Sequence, residues 1–197
     1  MLSKIVPVAC SFLVATAFAH PHVFVDAKVQ TLFDEKGFSG IKNHWVYDEI
    51  YSTAMVASAD SDKDGKISAQ EGEKLKGEIL GELARSNYYN YVQSGSDFLK
   101  AGNIQKFKAS VVNRRLVLDF VVPFSVPVGA DYSMLVAVVA DPTNYVQVTC
   151  DMDAAEVSAP KSMDVEYFSD SLEGLSLFRA FLPYVQGLYL RFKKKTP

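Results

Sequence analysis

Cysteine, histidine and tryptophan are scarce in this chain of 197 residues, which holds two, three and one of them. The cysteines are Cys10 and Cys150, and Cys10 falls in an amino-terminal segment that reads as removed on export. One thiol then remains, which excludes an internal disulfide and a cysteine-built zinc cluster. Cys150 ends an apolar run, the setting of a buried, inert thiol. A basic excess is also missing: 20 Lys and Arg face 23 Asp and Glu, a formal charge of -3, so nothing attracts nucleic acid. After the first segment no apolar run is long enough to cross a membrane, because residues 175–192 are interrupted by Arg179, Pro183, Gly187 and Arg191. Internal repeats and low-complexity stretches are absent. The histidines, His20, His22 and His44, cluster near one end, so no Ser-His-Asp or Cys-His arrangement is expected and catalysis is disfavoured.

Residues 1–19 carry Lys4, an apolar run over 5–18 and the small-residue sequence Ala17-Phe18-Ala19. These are the parts of a secretory signal peptide. Cleavage after Ala19 gives a mature chain that starts at His20, keeps 19 basic residues against 23 acidic ones and is long enough for one domain. The expected product is periplasmic or secreted, with no stable insertion in the membrane.

The strongest chemical signal runs from Asp60 to Glu71. Carboxylates stand at loop positions one, three, five and twelve (Asp60, Asp62, Asp64, Glu71), with Gly65 at six and Ile67 at eight. A hard cation takes about six to eight oxygens, and this loop offers Asp60, Asp62, Asp64, the Lys66 carbonyl, a water held by Ser68, and both oxygens of Glu71. Ser68 and Glu71 also form the Ser-x-x-Glu pattern that starts a helix. Downstream, Leu75, Ile79 and Leu83 recur every fourth residue; upstream, Ile50, Ala54 and Ala57 share a helical face. The expectation is a calcium-binding EF-hand, helix-loop-helix, over about residues 47–85. Asp151-Met152-Asp153 lacks the glycine and the closing glutamate, so the loop has no partner for a sensor pair.

Around this segment the chain reads as strands. Residues 22–33 alternate apolar and polar, Asp34-Glu35-Lys36-Gly37 is a turn, and residues 38–47 return as a hairpin. Short β-rich runs follow at 111–112, 116–122, 134–140, 145–150 and 163–168, divided by turn residues, and weak alternation over 185–192 suggests a closing strand with a solvated Lys193-Lys194-Lys195 end. The fold expected is α+β: a single domain over 20–197, an antiparallel β-sandwich-like sheet with an inserted EF-hand.

The histidines invite a second metal. His20 would carry the free α-amino group, and with His22, His44 and a carboxylate from Asp48 or Glu49 it could ligate nickel, cobalt, zinc or copper. Pro21 has no N–H, which blocks the square-planar mode that deprotonates two backbone amides. Counting pairs back from the turn brings His22 near Glu49 and His44 near Asp26 and Ala27.

The His20-Pro21-His22-Val23 start, the stretch His44-Trp45-x-Tyr47-Asp48-Glu49-x-Tyr51-Ser52, the acidic loop and Asp141-Pro142-Thr143 together resemble a bacterial periplasmic family, domain of unknown function 1007, over most of the mature chain. The resemblance implies a periplasmic component of a transport system, often associated with nickel and cobalt permeases, and it touches His20, His22, His44, Asp48 and Glu49 as ligands. The leading expectation is a periplasmic metal-binding accessory of a membrane metal permease, with calcium in the loop and a transition metal at the front end. Two alternatives stand beside it: a calcium-stabilised interaction module without transition-metal chemistry, and a copper enzyme using a histidine brace of His20 and His44.

Overall fold

The structure, a computed structural model, describes residues 22–195. The signal sequence over 1–19 and His20 lie outside the described residues. The chain opens with two long strands, β1 (Val23–Asp34) and β2 (Gly37–Tyr47). Val23, Val25, Ala27 and Val29 of β1 are buried while Phe24, Asp26 and Lys28 between them are exposed, so period-two alternation sets one face inward. The hairpin register shifts between Leu32 and Phe33, and His44 therefore faces Lys28. A turn count from the sequence alone, one residue out of step, points to Asp26 and Ala27 instead.

After β2 comes α1 (Glu49–Ala59), the acidic loop and α2 (Ala69–Leu75). The remaining strands are β3 (Asn90–Ser94), β4 (Asp97–Phe98), β5 (Gln105–Val112), β6 (Arg115–Pro127), β7 (Ser133–Val139), β8 (Val146–Cys150), β9 (Glu156–Ser158), β10 (Met163–Ser171) and β11 (Gln186–Lys194). One sheet runs β5-β6-β2-β1-β8, with β9 also on β1; the other runs β10-β11-β7-β3-β4. The apolar sides of the two sheets meet: Trp45, Phe38 and Phe120 from the first join Val92, Leu188 and Phe192 from the second, and Phe33 sets its ring edge-on to Phe192 at 5.0 Å. On the far side of the second sheet, the connection between β10 and β11 inserts Phe178 against Val138 and Ala140. Among the described residues no helix is long and apolar enough to cross a membrane.

Gly37 shows why β2 lies so close to β6. Its φ is +137°, and a Cβ there would sit 2.1 Å from the Val126 carbonyl oxygen. No side chain fits between the two backbones.

The α+β expectation with an inserted EF-hand is overturned. The fold is mostly β, and among the described residues only α1, with 11 residues, is an α-helix of more than two turns. Past the loop, α2 has seven residues, after which the chain widens into a π-helix over Lys76–Leu80, takes one short turn at Gly81–Leu83 and tightens to a 3-10 segment over Ala84–Tyr89 that is kinked at Ser86, Asn87 and Tyr88. No regular second helix pairs with α1. The reason is legible in Gly72, Gly77 and Gly81, spaced through the segment, each disfavouring α-helix by about 1 kcal/mol relative to alanine. The widened turn also lets Ile79 and Leu80, neighbours in sequence, both reach the core beside Leu75. The parallel pairing of β1 with β8 and β9 is a second departure from an all-antiparallel expectation.

Candidate functional site

The acidic loop is built between the end of α1 and the start of α2. Two left-handed residues curl it, Lys63 at φ 60° and Gly65 at φ +76°, and no atom lies within 4 Å of where a Gly65 Cβ would stand. The glycine is needed there for conformation, not for space. Asp60 accepts backbone N–H groups through both oxygens, from Asp64 at 3.2 Å and Gly65 at 2.9 Å. Asp62 accepts from Asp64 at 3.2 Å, and Asp64 from Lys66 at 2.8 Å.

Glu71 closes the loop. Ser61 N–H donates to its Oε1 at 2.6 Å, while the Ser68 N–H and hydroxyl donate to its Oε2 at 2.9 and 2.8 Å. The Ser68 hydroxyl in turn accepts the Glu71 N–H, completing the helix-starting box. Glu71 is 8% exposed, and the donors on it, the Ser68 N–H first among them, hold its carboxyl below the usual glutamate range. Ligand atoms of Asp60, Asp62 and Glu71 lie within 4.8 Å of one another, the one such group of three or more among the described residues. Asp64 stands outside that group: its N–H donates to Asp60 and Asp62, and its own Oδ1 accepts the Lys66 N–H.

The loop is seated on the first sheet. Ile67 and bare Gly72 bring the start of α2 against β5, where a Gly72 Cβ would meet Ala109 Cβ at 3.8 Å and Phe107 Cε1 at 3.9 Å. The Lys74 ammonium bonds the Ser58 carbonyl, tying α2 back to the end of α1.

The histidine expectation meets a different geometry. His44 Nδ1 lies 2.8 Å from Asp119 Oδ1 on the outer face of the first sheet, with Lys28 opposite it and Lys42 two residues away on the same face. His22 is tied by its N–H to the Tyr145 carbonyl at 3.0 Å, and its ring sits 5.0 Å from that of Tyr145. His22 stands just before β1 and six residues before Lys28, so at about 3.3 Å per residue roughly 20 Å separates His22 from the His44 row. Asp48 caps α1 by accepting the Tyr51 N–H at 2.9 Å and fastens β1 by accepting the Phe24 N–H at 3.0 Å. Glu49 pairs with Arg114 at 3.2 Å. The structure does not bring His22, His44, Asp48 and Glu49 to one point.

Two features escape sequence reasoning. Asp141, 7% exposed, gathers the N–H groups of Thr143, Tyr145 and Val146 and the Thr143 hydroxyl, so the Asp-Pro-Thr sequence is a turn anchor that launches β8. The Asp-Pro-Thr-Asn composition announces a turn; its burial is not visible in it. His44 with Asp119 is the other, a pair made only when β2 lies beside β6.

A family model described as a protein of unknown function (DUF1007) matches residues 5–169. The chain belongs to that family. In this DUF1007 protein the matched span takes in the acidic loop, the His44–Asp119 pair and the Asp141 turn, and stops before β11. No curated protein matches the chain.

Proposed function

We propose that this DUF1007 protein is an exported calcium-binding protein in which residues 60–71 hold one ion that stabilises the segment between β2 and β3. The observation that carries this reading is the convergence of Asp60, Asp62 and Glu71 within 4.8 Å. The donor set fits the ion: every available atom is an oxygen, which suits a hard cation and offers nothing to a soft one. Asp60, Asp62 and Glu71 would hold calcium, with Asp64, the Lys66 carbonyl and a water on Ser68 as the further donors. Bound calcium would offset two of the four carboxylate charges crowded into twelve residues and relieve part of their mutual repulsion.

Transition-metal binding, in this reading, belongs to His20 and His22 at the mature amino terminus. The pairing of His44 with Asp119 and the neighbouring lysines disfavour a cation there. An accessory role beside a periplasmic metal permease rests on the family resemblance and the signal sequence.

Calorimetric titration of metal-free mature protein tests the proposal. One calcium equivalent, lost in Asp60→Asn and Glu71→Gln, is the expected result; absence of calcium uptake by the folded protein would remove the reading. Nickel, cobalt, zinc and copper titrations with and without His20→Ala and His22→Ala separate the accessory from a calcium-stabilised interaction module.

A further inference from the structure

We infer that the junction by which the helical segment enters the second sheet, residues 87–90, is held closed by ion occupancy of the acidic loop and opens locally when the loop is empty. The inference rests on the calcium reading above.

The junction is the place where this fold is least content with itself. Asn87, Tyr88 and Tyr89 take φ values of 49°, 55° and 56°, three consecutive non-glycine residues in the left-handed region. For bulky tyrosines that conformation persists only where the surroundings enforce it. Two orphaned polar atoms lie at the same place. Asn43 Oδ1 and Trp45 Nε1 have no hydrogen-bond partner among the described residues, although both residues are 0% exposed. Asn43 donates through Nδ2 to Asn90 Oδ1 at 3.0 Å, Asn90 Nδ2 donates to the Tyr88 carbonyl at 2.7 Å, and the Trp45 ring stacks on Tyr89 at 6.3 Å. Backbone strain and unsatisfied buried groups therefore share one contact set. Opening it would relax the first and hydrate the second.

What holds it shut is partly local: the Asn87 side chain donates to the Leu99 carbonyl at 3.0 Å and accepts the Ala101 N–H at 3.2 Å. The rest comes from upstream. A helical path, α, π and 3-10 in turn, runs from Glu71 to Arg85, and the chain leaves helical geometry at Ser86, directly before the left-handed residues. Its three glycines and short turns give it little stability of its own, so it depends on its anchors: Leu75, Ile79 and Leu80 in the core, and the loop at its head. Without a cation the carboxylates of Asp60, Asp62, Asp64 and Glu71 repel, the head anchor loosens, and the strained end is the part with most to gain by letting go.

Trp45 is the one tryptophan in the chain, and it reports on this contact set directly. Hydrogen exchange and Trp45 fluorescence are measured on the mature protein with saturating calcium and with a chelator, beside calorimetry of the same material. On calcium removal we expect a red shift of Trp45 emission, stronger acrylamide quenching, and exchange of the amides of residues 87–92 faster by about tenfold or more, with Leu118 and Val122 in the first sheet unchanged. Glu71→Gln in the presence of calcium should reproduce that state. Calcium uptake with an unmoved Trp45 and unmoved junction amides overturns the inference and leaves the calcium reading standing. Equal acceleration in both sheets also overturns it, because the opening is then global. No calcium uptake at all removes the calcium reading, and the inference with it.

Discussion

Glu71 Oε1 accepts the backbone N–H of Ser61 at 2.6 Å, joining the two ends of the acidic loop across ten residues. The closing glutamate is thus aimed inward by protein donors and needs little rearrangement to meet a cation beside Asp60 and Asp62. Calcium at about a hundred times its Kd should stabilise the fold by roughly 2.7 kcal/mol, which for a domain of this size raises Tm by about 5–10 °C. Glu71→Gln should abolish most of that rise in a thermal melt, and its calcium affinity should drop by at least about tenfold.

The two turn glycines should behave differently. Gly37→Ala places a methyl group 2.1 Å from the Val126 carbonyl oxygen, so it should cost more than about 2 kcal/mol and lower the urea midpoint strongly. Gly65→Ala meets nothing and should cost only the strain of its left-handed backbone, about 1–2 kcal/mol.

Asp48 links β1 to α1, and its removal should be felt fully at neutrality and progressively less in acid. Burial alone would raise its carboxyl, but the N–H groups of Phe24, Tyr51 and Ile50 and the charge of Arg115 outweigh burial and hold it below the ordinary value of 3.8. The unfolded chain then takes up the proton more readily than the folded one, so the contribution is whole above pH 3.8 and is lost as pH falls through the lower folded value. Asp48→Ala should destabilise by about 1–2 kcal/mol at pH 7, and urea titrations should find the gap from the unmodified protein narrowing as pH drops below 3.8.

Cys150 should be slow to react. Burial pushes its thiol up to about 12, so very little thiolate exists at neutral pH. Alkylation by iodoacetamide is expected to be slow in the native protein and rapid in denaturant, with mass spectrometry as the readout.

Part of this architecture is legible in residue order alone. The alternation from Val23 onward and the turn at Asp34-Glu35-Lys36-Gly37 place β1 and β2, because one buried face imposes period two on the sequence. The acidic loop is legible because its left-handed turn at Gly65 and the Ser68–Glu71 box each fix a residue type at a fixed place. Helix geometry beyond it is not: Leu75, Ile79 and Leu83 recur at four-residue intervals, yet the glycines between them break the helix and Leu80 takes the buried place that periodicity gives to Leu83. β3 hides in the aromatic run Tyr88-Tyr89-Asn90-Tyr91, whose left-handed entry leaves no signature in residue type. The histidine site fails as a cluster for a long-range reason. His44 finds Asp119, a partner that only strand order across the sheet supplies.

β1 occupies an interior position of its sheet, with β2 on one side and β8 on the other, so that Val23 lies beside Val146 and Ala27 beside Cys150. The hairpin half of that environment forms almost as soon as the chain emerges; the parallel half must wait for residues made long afterwards. Until they arrive, the front strand presents a bare, apolar, hydrogen-bonding margin. Maturation should therefore be slow and sensitive to crowding with its own kind until β8 and β9 arrive to cover that margin.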